Sequence, residues 1–323
     1  MTIDLAPIFQ AVRQAAELCR LVQQNYLVES AVNSVSKLDA EPVTLADYGS
    51  QAIICRAISQ SFPQDAVIAE EGGQQFGELI DAAQQQEVIA LISRVIGQQT
   101  SVDEVVRWLD YGQGRQAERT WVIDPIDGTK GFIALRNYAI AVGILEDGQP
   151  VGGVMGAPGY TEIEGGALFH AQDGQAYVQP LSGGTARPIQ ASQRTQPKTL
   201  VVVESVESSH TSHDVTGSVL AAAGMAGASI KRLDSQEKYC LVASGDADAY
   251  MRFPPKSGAY GHRIWDHAAG VAIVQAAGGL ATDLDGSPLD FSLGKLLERN
   301  KGMIVANPRI HEQLVRAVGQ LQS

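Results

Sequence analysis

The hydrophobic period of this chain changes at Thr120, and that change narrows the possible folds more than any other feature. Before it the period is helical. Leu5, Ile8, Phe9, Val12, Ala16, Cys19 and Tyr26 recur at three- and four-residue steps and predict a helix of several turns. Ile53, Ile54, Ala57 and Ile58 predict a second helix, which Pro63 stops. Val67-Ile68-Ala69 reads as a short buried strand running into Glu70-Glu71-Gly72-Gly73. Residues 74–118 are glutamine-rich, helical around Leu79 to Ile96 and without obvious chemistry, which suggests a lid or an insertion. After Thr120 the period is that of strands. Trp121-Val122-Ile123 is one strand, and Asn137 to Leu145 alternates into the hairpin signal Glu146-Asp147-Gly148. Val151 to Ala157 returns, and Gln172-Asp173-Gly174 marks another hairpin between Ala167 and Val178.

Beyond Pro180-Leu181-Ser182-Gly183-Gly184 the pattern alternates. Strands are predicted at Leu200–Val203, Ser229–Arg232, Asp248–Arg252 and Met303–Ala306. Helices are predicted over 212–223, 235–244 and 266–277, and after the last strand. The expectation is an α+β protein without internal repeats or a long linker. Two tightly packed domains are expected, residues 1–190 and 191–323, and 323 residues at 45% hydrophobic content supply core for both.

Charge excludes several partners. Lys and Arg number 24 against 36 Asp and Glu, a net −12, so a nucleic-acid or anionic-membrane surface is not expected. A phosphorylated small molecule stays open, because bound cations invert a local field. No apolar run approaches the ~20 residues of a membrane span, and the opening Met-Thr-Ile-Asp-Leu-Ala-Pro lacks a basic then apolar leader. The three cysteines (Cys19, Cys55 and Cys240) are odd in number and lack metal-type spacing. These features predict a reduced cytoplasmic protein, a monomer or weak homo-oligomer, with redox regulation through the cysteines left open.

Asp124-Pro125-Ile126-Asp127-Gly128-Thr129 follows a strand and holds two carboxylates three residues apart. Pro125 fixes φ and Gly128 permits a tight turn, so both acids and the Ile126 carbonyl can face one point, as hard oxygen ligands of Mg²⁺ do. The plainer reading is a turn built from the usual turn residues. Glu70-Glu71 offers more carboxylate at another strand end, although adjacent acids are most often a solvated surface pair. Asp266, in Trp265-Asp266-His267-Ala268-Ala269-Gly270, opens an apolar helix where the plainer role is an N-cap. Asp47, three residues after Thr44, reads equally well as part of a capping box. There is no His-x-x-x-His pair, no Gly-x-Ser-x-Gly elbow and no Walker-type loop, which removes the usual zinc, serine-hydrolase and kinase readings.

In combination these motifs say more. Glu-Glu, Asp-Pro-Ile-Asp-Gly-Thr and Trp-Asp-x-x-Ala-Gly, in that order and at these separations, resemble the lithium-sensitive, Mg²⁺-dependent phosphatases related to inositol monophosphatase, over Asp47 to Asp285. The segments Val206 to Asp214, Asp234 to Cys240, Ala249 to Pro254, Pro288 to Ser292 and Asn300-Lys301-Gly302 resemble the 3′(2′),5′-bisphosphate nucleotidase branch. Two departures stand beside Glu70: Ala69 replaces a usual glycine, and Gly72-Gly73 replaces a common acidic or hydroxyl residue.

The resemblance implies a layered αβαβα sandwich with two or three Mg²⁺ ions between its domains. It implies that Glu70, Asp124 and the Ile126 carbonyl hold one ion, and that Asp124, Asp127 and Asp266 hold a second. Thr129, hydrogen-bonded to Asp47, would orient the attacking water. Gly128, Thr129, His213, Ser235, Lys238 and Arg252 would contact substrate, with Ser235, Lys238 and Arg252 at a 5′-phosphate, although each cation taken singly is more often a surface residue. Four converging acids would raise one another's pKa values without divalent ions to relieve them. The implied reaction is removal of the 3′-phosphate of 3′-phosphoadenosine 5′-phosphate or its phosphosulfate relative. Two alternatives stay open: a phosphatase acting on inositol phosphates or sugar bisphosphates, and a non-catalytic nucleotide sensor.

Overall fold

A computed structural model of the protein describes residues 3–24, 34–36, 42–206, 213–254 and 261–322. Its outer helical layer begins with α1 (Ala6–Val22) and α2 (Leu45–Ser61); β1 (Ser34–Ser36) and β2 (Pro42–Thr44) pair antiparallel between them. α1 ends at Val22, short of the predicted Tyr26, which lies outside the described residues. Next comes a seven-stranded sheet in chain order. Its strands are β3 (Ala66–Ala69), β4 (Arg119–Asp127), β5 (Ala139–Glu146), β6 (Gln149–Ala157), β7 (Ala167–Gln172), β8 (Gln175–Pro180) and β9 (Arg187–Pro188). β3 and β4 are parallel and the remaining neighbours antiparallel. Both predicted hairpins form. Asp147 and Gly148 have φ of 49° and 71°, and Asp173 and Gly174 have 51° and 73°, the paired positive values of a two-residue turn matched to strand twist.

The glutamine-rich stretch is not a lid. It folds into α3 (Gly73–Leu79), α4 (Ala82–Ile96) and α5 (Val102–Leu109). Val88, Ile89 and Ile92 of α4 and Val105 and Leu109 of α5 are buried in the same core as α1 and α2. Capping boxes at Asp81/Gln84 and Ser101/Glu104 start α4 and α5.

The second sheet has five strands in the order β11–β10–β12–β14–β13. These are β10 (Val201–Glu204), β11 (Ser229–Arg232), β12 (Ala249–Arg252), β13 (Leu280–Thr282) and β14 (Met303–Ala306). Leu280–Thr282 carries too short an apolar run to stand out in the sequence and is a strand only because β14 pairs with it. Helices α8 (Glu237–Ala243) and α9 (Ala268–Ala276) lie between the sheets, and α7 (His213–Ala222) and α10 (His311–Gln322) cover the far face.

Side-chain alternation assigns each strand residue to a layer. Trp121 and Ile123 of β4 pack with α1 and α2, whereas Val122 between them faces α9. In β12 and β14, Tyr250, Met303 and Val305 face the middle helices, while Ala249, Met251, Ile304 and Ala306 pack with Leu220 and Leu314. The layers therefore run helix, sheet, helix, sheet, helix, as the resemblance implies. Cys19, Cys55 and Cys240 are free and buried, and burial pushes the Cys19 thiol up to about 12, which leaves it inert near neutrality. Among the described residues no helix is long and apolar enough to cross a membrane.

Candidate active site

The two aspartates of Asp-Pro-Ile-Asp stand three residues apart, and in a regular strand such positions face opposite ways. The sequence suggests that a turn resolves this, but the chain uses a bulge. Asp124 pairs with Ala141 and Asp127 with Ala139, so three steps on β4 oppose two on β5. The extra residue restores parity and puts both carboxylates on one side. Pro125, with no N–H to donate, is tolerated at such an irregularity. β4 thus continues to Asp127, and the turn comes one residue later at Gly128 (φ 87°), which leads into the short α6 (Thr129–Ile133).

Other elements bring further acids to this point. The Glu70 N–H donates to the Ile123 carbonyl at 3.3 Å, which extends the parallel pairing past β3 and sets Glu70 beside Asp124. Glu71 is 2% exposed and Glu70 half-buried, so the two are not a fully solvated surface pair. Asp47 is buried in the first turn of α2; the Thr44 side chain of the suggested capping box lies outside the described residues. Asp266 is not an N-cap: it sits in the 3-10 turn Ile264–Asp266, and His267 occupies the N-cap position of α9.

These carboxylates act on one another. Burial first, then Glu70, Asp127, Asp266 and Asp47, push the Asp124 carboxyl well above the usual range. Asp127 is also raised, chiefly by burial, against the opposing pull of Lys238, a Gln236 hydrogen bond and Arg252. Asp124 Oδ1 is buried and has no hydrogen-bond partner. A crowded oxygen set with an orphaned carboxylate oxygen at its centre suits a hard divalent cation. Among the described residues, no three acidic, histidine or cysteine side chains are drawn together as a closed ligand cluster.

Thr129 departs from expectation. Its hydroxyl donates to the Ile126 carbonyl at 3.1 Å, and the expected hydrogen bond to Asp47 is not the one formed. The left-handed Gly128 folds Thr129 back over Ile126, and closing a three-residue loop costs less ordering than reaching α2.

The cationic side is buried too, against the plainer reading of Lys238 and Arg252 as surface residues. Lys238 Nζ donates to the carbonyls of Leu233 (3.1 Å) and Ser235 (2.5 Å), and burial lowers its pKa to about 8. Arg252 lies 3.5 Å from Asp266, an acid pairing that the phosphate role does not require. Ser235 has φ 70°, and its hydroxyl accepts from the Glu237 N–H at 3.2 Å. A Cβ on Gly128 would sit 3.3 Å from the Ser235 nitrogen, so the absence of one lets the acidic loop meet the cationic one. Ser235, Lys238 and Arg252 thus gather at Asp127. His213 begins α7, but its side chain lies outside the described residues. Sequence reasoning passed over Gln236, which hydrogen-bonds Asp127 and donates to the Trp265 carbonyl at 2.9 Å. A neutral amide carries no signal that would single it out.

The sequence profile of the inositol monophosphatase family matches residues 4–323. A Candida albicans 3′(2′),5′-bisphosphate nucleotidase 1 is 34% identical over 97% of this chain and 93% of its own length. A 3′(2′),5′-bisphosphate nucleotidase of Oryza sativa is 36% identical over 98% of this chain and 93% of its own. Among solved structures, a Thermotoga maritima IMPase superimposes with a TM-score of 0.65 at 22% identity, covering 98% of this chain and 96% of that one. An inositol monophosphatase from Anabaena does so at 0.60 and 22%, covering 98% and 97%. At those identities the structural likeness speaks for the fold.

Proposed function

The chain belongs to the inositol monophosphatase family, and from that premise we propose that it is a Mg²⁺-dependent 3′(2′),5′-bisphosphate nucleotidase, a phosphoric monoester hydrolase releasing AMP and phosphate from 3′-phosphoadenosine 5′-phosphate. The observation that carries this reading is the meeting at Asp127 of the acidic set with two buried cations, Lys238 and Arg252. A monophosphate needs only the acids and their metals; two cations buried at the same point suit a second anionic group, for which they would exchange their internal partners.

Glu70, Asp124, the Ile126 carbonyl, Asp127 and Asp266 would hold the Mg²⁺ ions, two or three in number. When bound, such ions lower the pKa of water and offset charge on the departing 3′-oxygen. The chain's own groups do the rest. Asp47, buried in α2, stands ready to take a proton from the attacking water, and the Thr129 hydroxyl orients that water once it exchanges the Ile126 carbonyl for it. Lys238 and Arg252 take the 5′-phosphate, with Arg252 presenting a planar fork and Lys238 a compact charge. Gly128 keeps the approach to the reacting phosphate open. His213 completes the set at the nucleotide. The division of labour falls near residue 190, with most metal ligands before it and nucleotide recognition after it.

Phosphate release from 3′-phosphoadenosine 5′-phosphate, inositol 1-phosphate and fructose 1,6-bisphosphate tests the reading. Preference for the first by at least tenfold in kcat/KM supports it. Preference for either other substrate replaces it with the corresponding phosphatase, and absence of Mg²⁺-dependent turnover on all three favours a nucleotide sensor. The same reading expects LiCl to inhibit where NaCl at equal ionic strength does not.

A further inference from the structure

We propose that Gln51 is a positioning residue that sets the affinity of the acidic site for divalent cations by holding Glu70 at a fixed place relative to Asp47. The inference rests on the reading of Glu70 as a metal ligand.

Gln51 lies one turn beyond Asp47 on α2, so the two side chains share a helix face. It is fully buried. Its Nε2 donates to the Glu71 carbonyl at 2.7 Å, and its Oε1 accepts from the Glu71 N–H at 2.8 Å. The side-chain amide thus pairs with residue 71 as a neighbouring strand would, at the point where β3 has ended and no strand is available. Both ends of a buried amide committed to one backbone residue make a two-point clamp. A single bond from α2 would hold residue 71 at one point only and fix its orientation to that helix less firmly.

The far side of the loop is held as well. The Gly73 N–H donates to Asp110 Oδ1 at 2.7 Å, and Gln113 Nε2 bridges the carbonyls of Glu71 (3.3 Å) and Leu109 (2.8 Å). A Cβ on Gly73 would lie 2.5 Å from Asp110 Oδ2, so glycine at 73 leaves room for the Asp110 carboxylate. The acid that caps the C-terminal end of α5 therefore meets the start of α3 where the local sequence has only glycines. Glu70 is left between two anchors: its own N–H on Ile123, and Glu71 held by Gln51 and Gln113. The clamp from α2 is the one that ties its position to Asp47.

The test measures Mg²⁺ and Mn²⁺ binding by calorimetry to the full chain, alongside Tm and amide exchange at Glu71. Gln51→Met keeps the volume and removes both bonds. Gln51→Glu keeps the acceptor and loses the donor. Ile54→Ala, a buried position on the same helix without a bond to the loop, serves as the stability control. The expected result for Gln51→Met is at least tenfold weaker cation binding and faster Glu71 exchange, with KM for nucleotide at saturating metal within twofold. Gln51→Glu should fall between it and wild type. Ile54→Ala should lower Tm and leave cation affinity within twofold. The proposal is overturned if Gln51→Met binds cations within twofold of wild type or weakens only in step with the control. Should Gln51→Met fail to fold, the same twofold limit applied to Gln51→Glu decides. Wild type that binds cations but ignores bisphosphorylated nucleotides would refute the proposed substrate and leave the clamp standing. Wild type that binds no divalent cation would remove both.

Discussion

The acidic and the cationic sides of the cleft are built on opposite principles. On the acidic side, Asp124 is buried with an oxygen unpartnered and is pushed toward protonation first by burial and then by its acidic neighbours. On the cationic side, Lys238 already spends hydrogen bonds on two backbone carbonyls, and Arg252 faces Asp266. One side is held short of charge balance by strand geometry, whereas the other is balanced from within. The difference teaches where each side gets its energy. The acids gain from an external cation directly, because buried like charges relax when it arrives. The cations gain from an external phosphate only what remains after their internal partners are exchanged, so their contribution should be smaller and more selective.

The largest expected effect lies on the acidic side. Asp127→Asn removes a charge without changing shape, and kcat should fall by roughly 10²–10³, as loss of a positioned electrostatic group does. Steady-state assays at saturating Mg²⁺ check this; activity within tenfold of wild type would erase the contrast, because the acids would then be no more critical than the cations.

The cationic side should show a smaller, substrate-dependent effect. A substrate lacking the 5′-phosphate forfeits charge-assisted bonds worth about 1.5–3 kcal/mol each, so wild type should prefer 3′-phosphoadenosine 5′-phosphate over 3′-adenosine monophosphate by roughly 10- to 150-fold. Arg252→Ala should shrink that preference and barely alter the rate on the monophosphate. Equal losses on both substrates would mean that the Asp266 pairing is the whole role of Arg252.

Thr129 touches the seam between the sides. Thr129→Ala loses one hydroxyl, a cost near 1.4 kcal/mol or about tenfold in kcat, and cation affinity by calorimetry should stay within twofold. A collapse of affinity with kcat preserved would make the Thr129–Ile126 bond a support for the carbonyl ligand.

The smallest effect is a pH dependence. Burial holds Lys238 near 8, so it is protonated below that and neutral above it. For the free enzyme, kcat/KM on the 5′-phosphorylated substrate should fall severalfold as pH rises through about 8, with no matching fall on 3′-adenosine monophosphate. Lys238→Arg, which stays charged, should abolish the difference. Parallel profiles on both substrates would confine Lys238 to holding the Ser235 loop.

Much of this molecule is legible in the residues themselves, because the responsible forces are local. Strand alternation around Trp121, the Asp-Gly hairpins at 147–148 and 173–174, and the apolar faces of α1 and α2 depend on neighbours a few positions away. The acids of the site are legible for a related reason: Asp124 and Asp127 with Gly128 leave a compact pattern in sequence. What the pattern withholds is how parity is met. A turn and a bulge use the same residues, and only the register against Ala141 and Ala139 of β5 selects the bulge.

The remaining decisions are tertiary. Glutamine-rich residues 74–118 read as a possible lid because the spacing of Val88, Ile92 and Leu109 does not reveal that α1 and α2 wait to cover them. Lys238 and Arg252 are long charged side chains that sequence assigns to the surface, yet the fold supplies partners that offset their burial: carbonyls of the loop just before its own helix for Lys238, and Asp266 from another element for Arg252. Gln51 and Gln236 are the extreme case. An amide has no charge, pKa or spacing signature, and its importance arises only when folding places it against Glu71 or Asp127. Sequence alone determined the acids, the layer-forming periods and the tight turns, since short-range sterics and local chemistry specify them. Tertiary structure alone decided which charges are buried, what holds them, and that the two sides meet at Gly128 and Ser235, because burial and long-range hydrogen bonding depend on chain segments that meet only once the layers have closed.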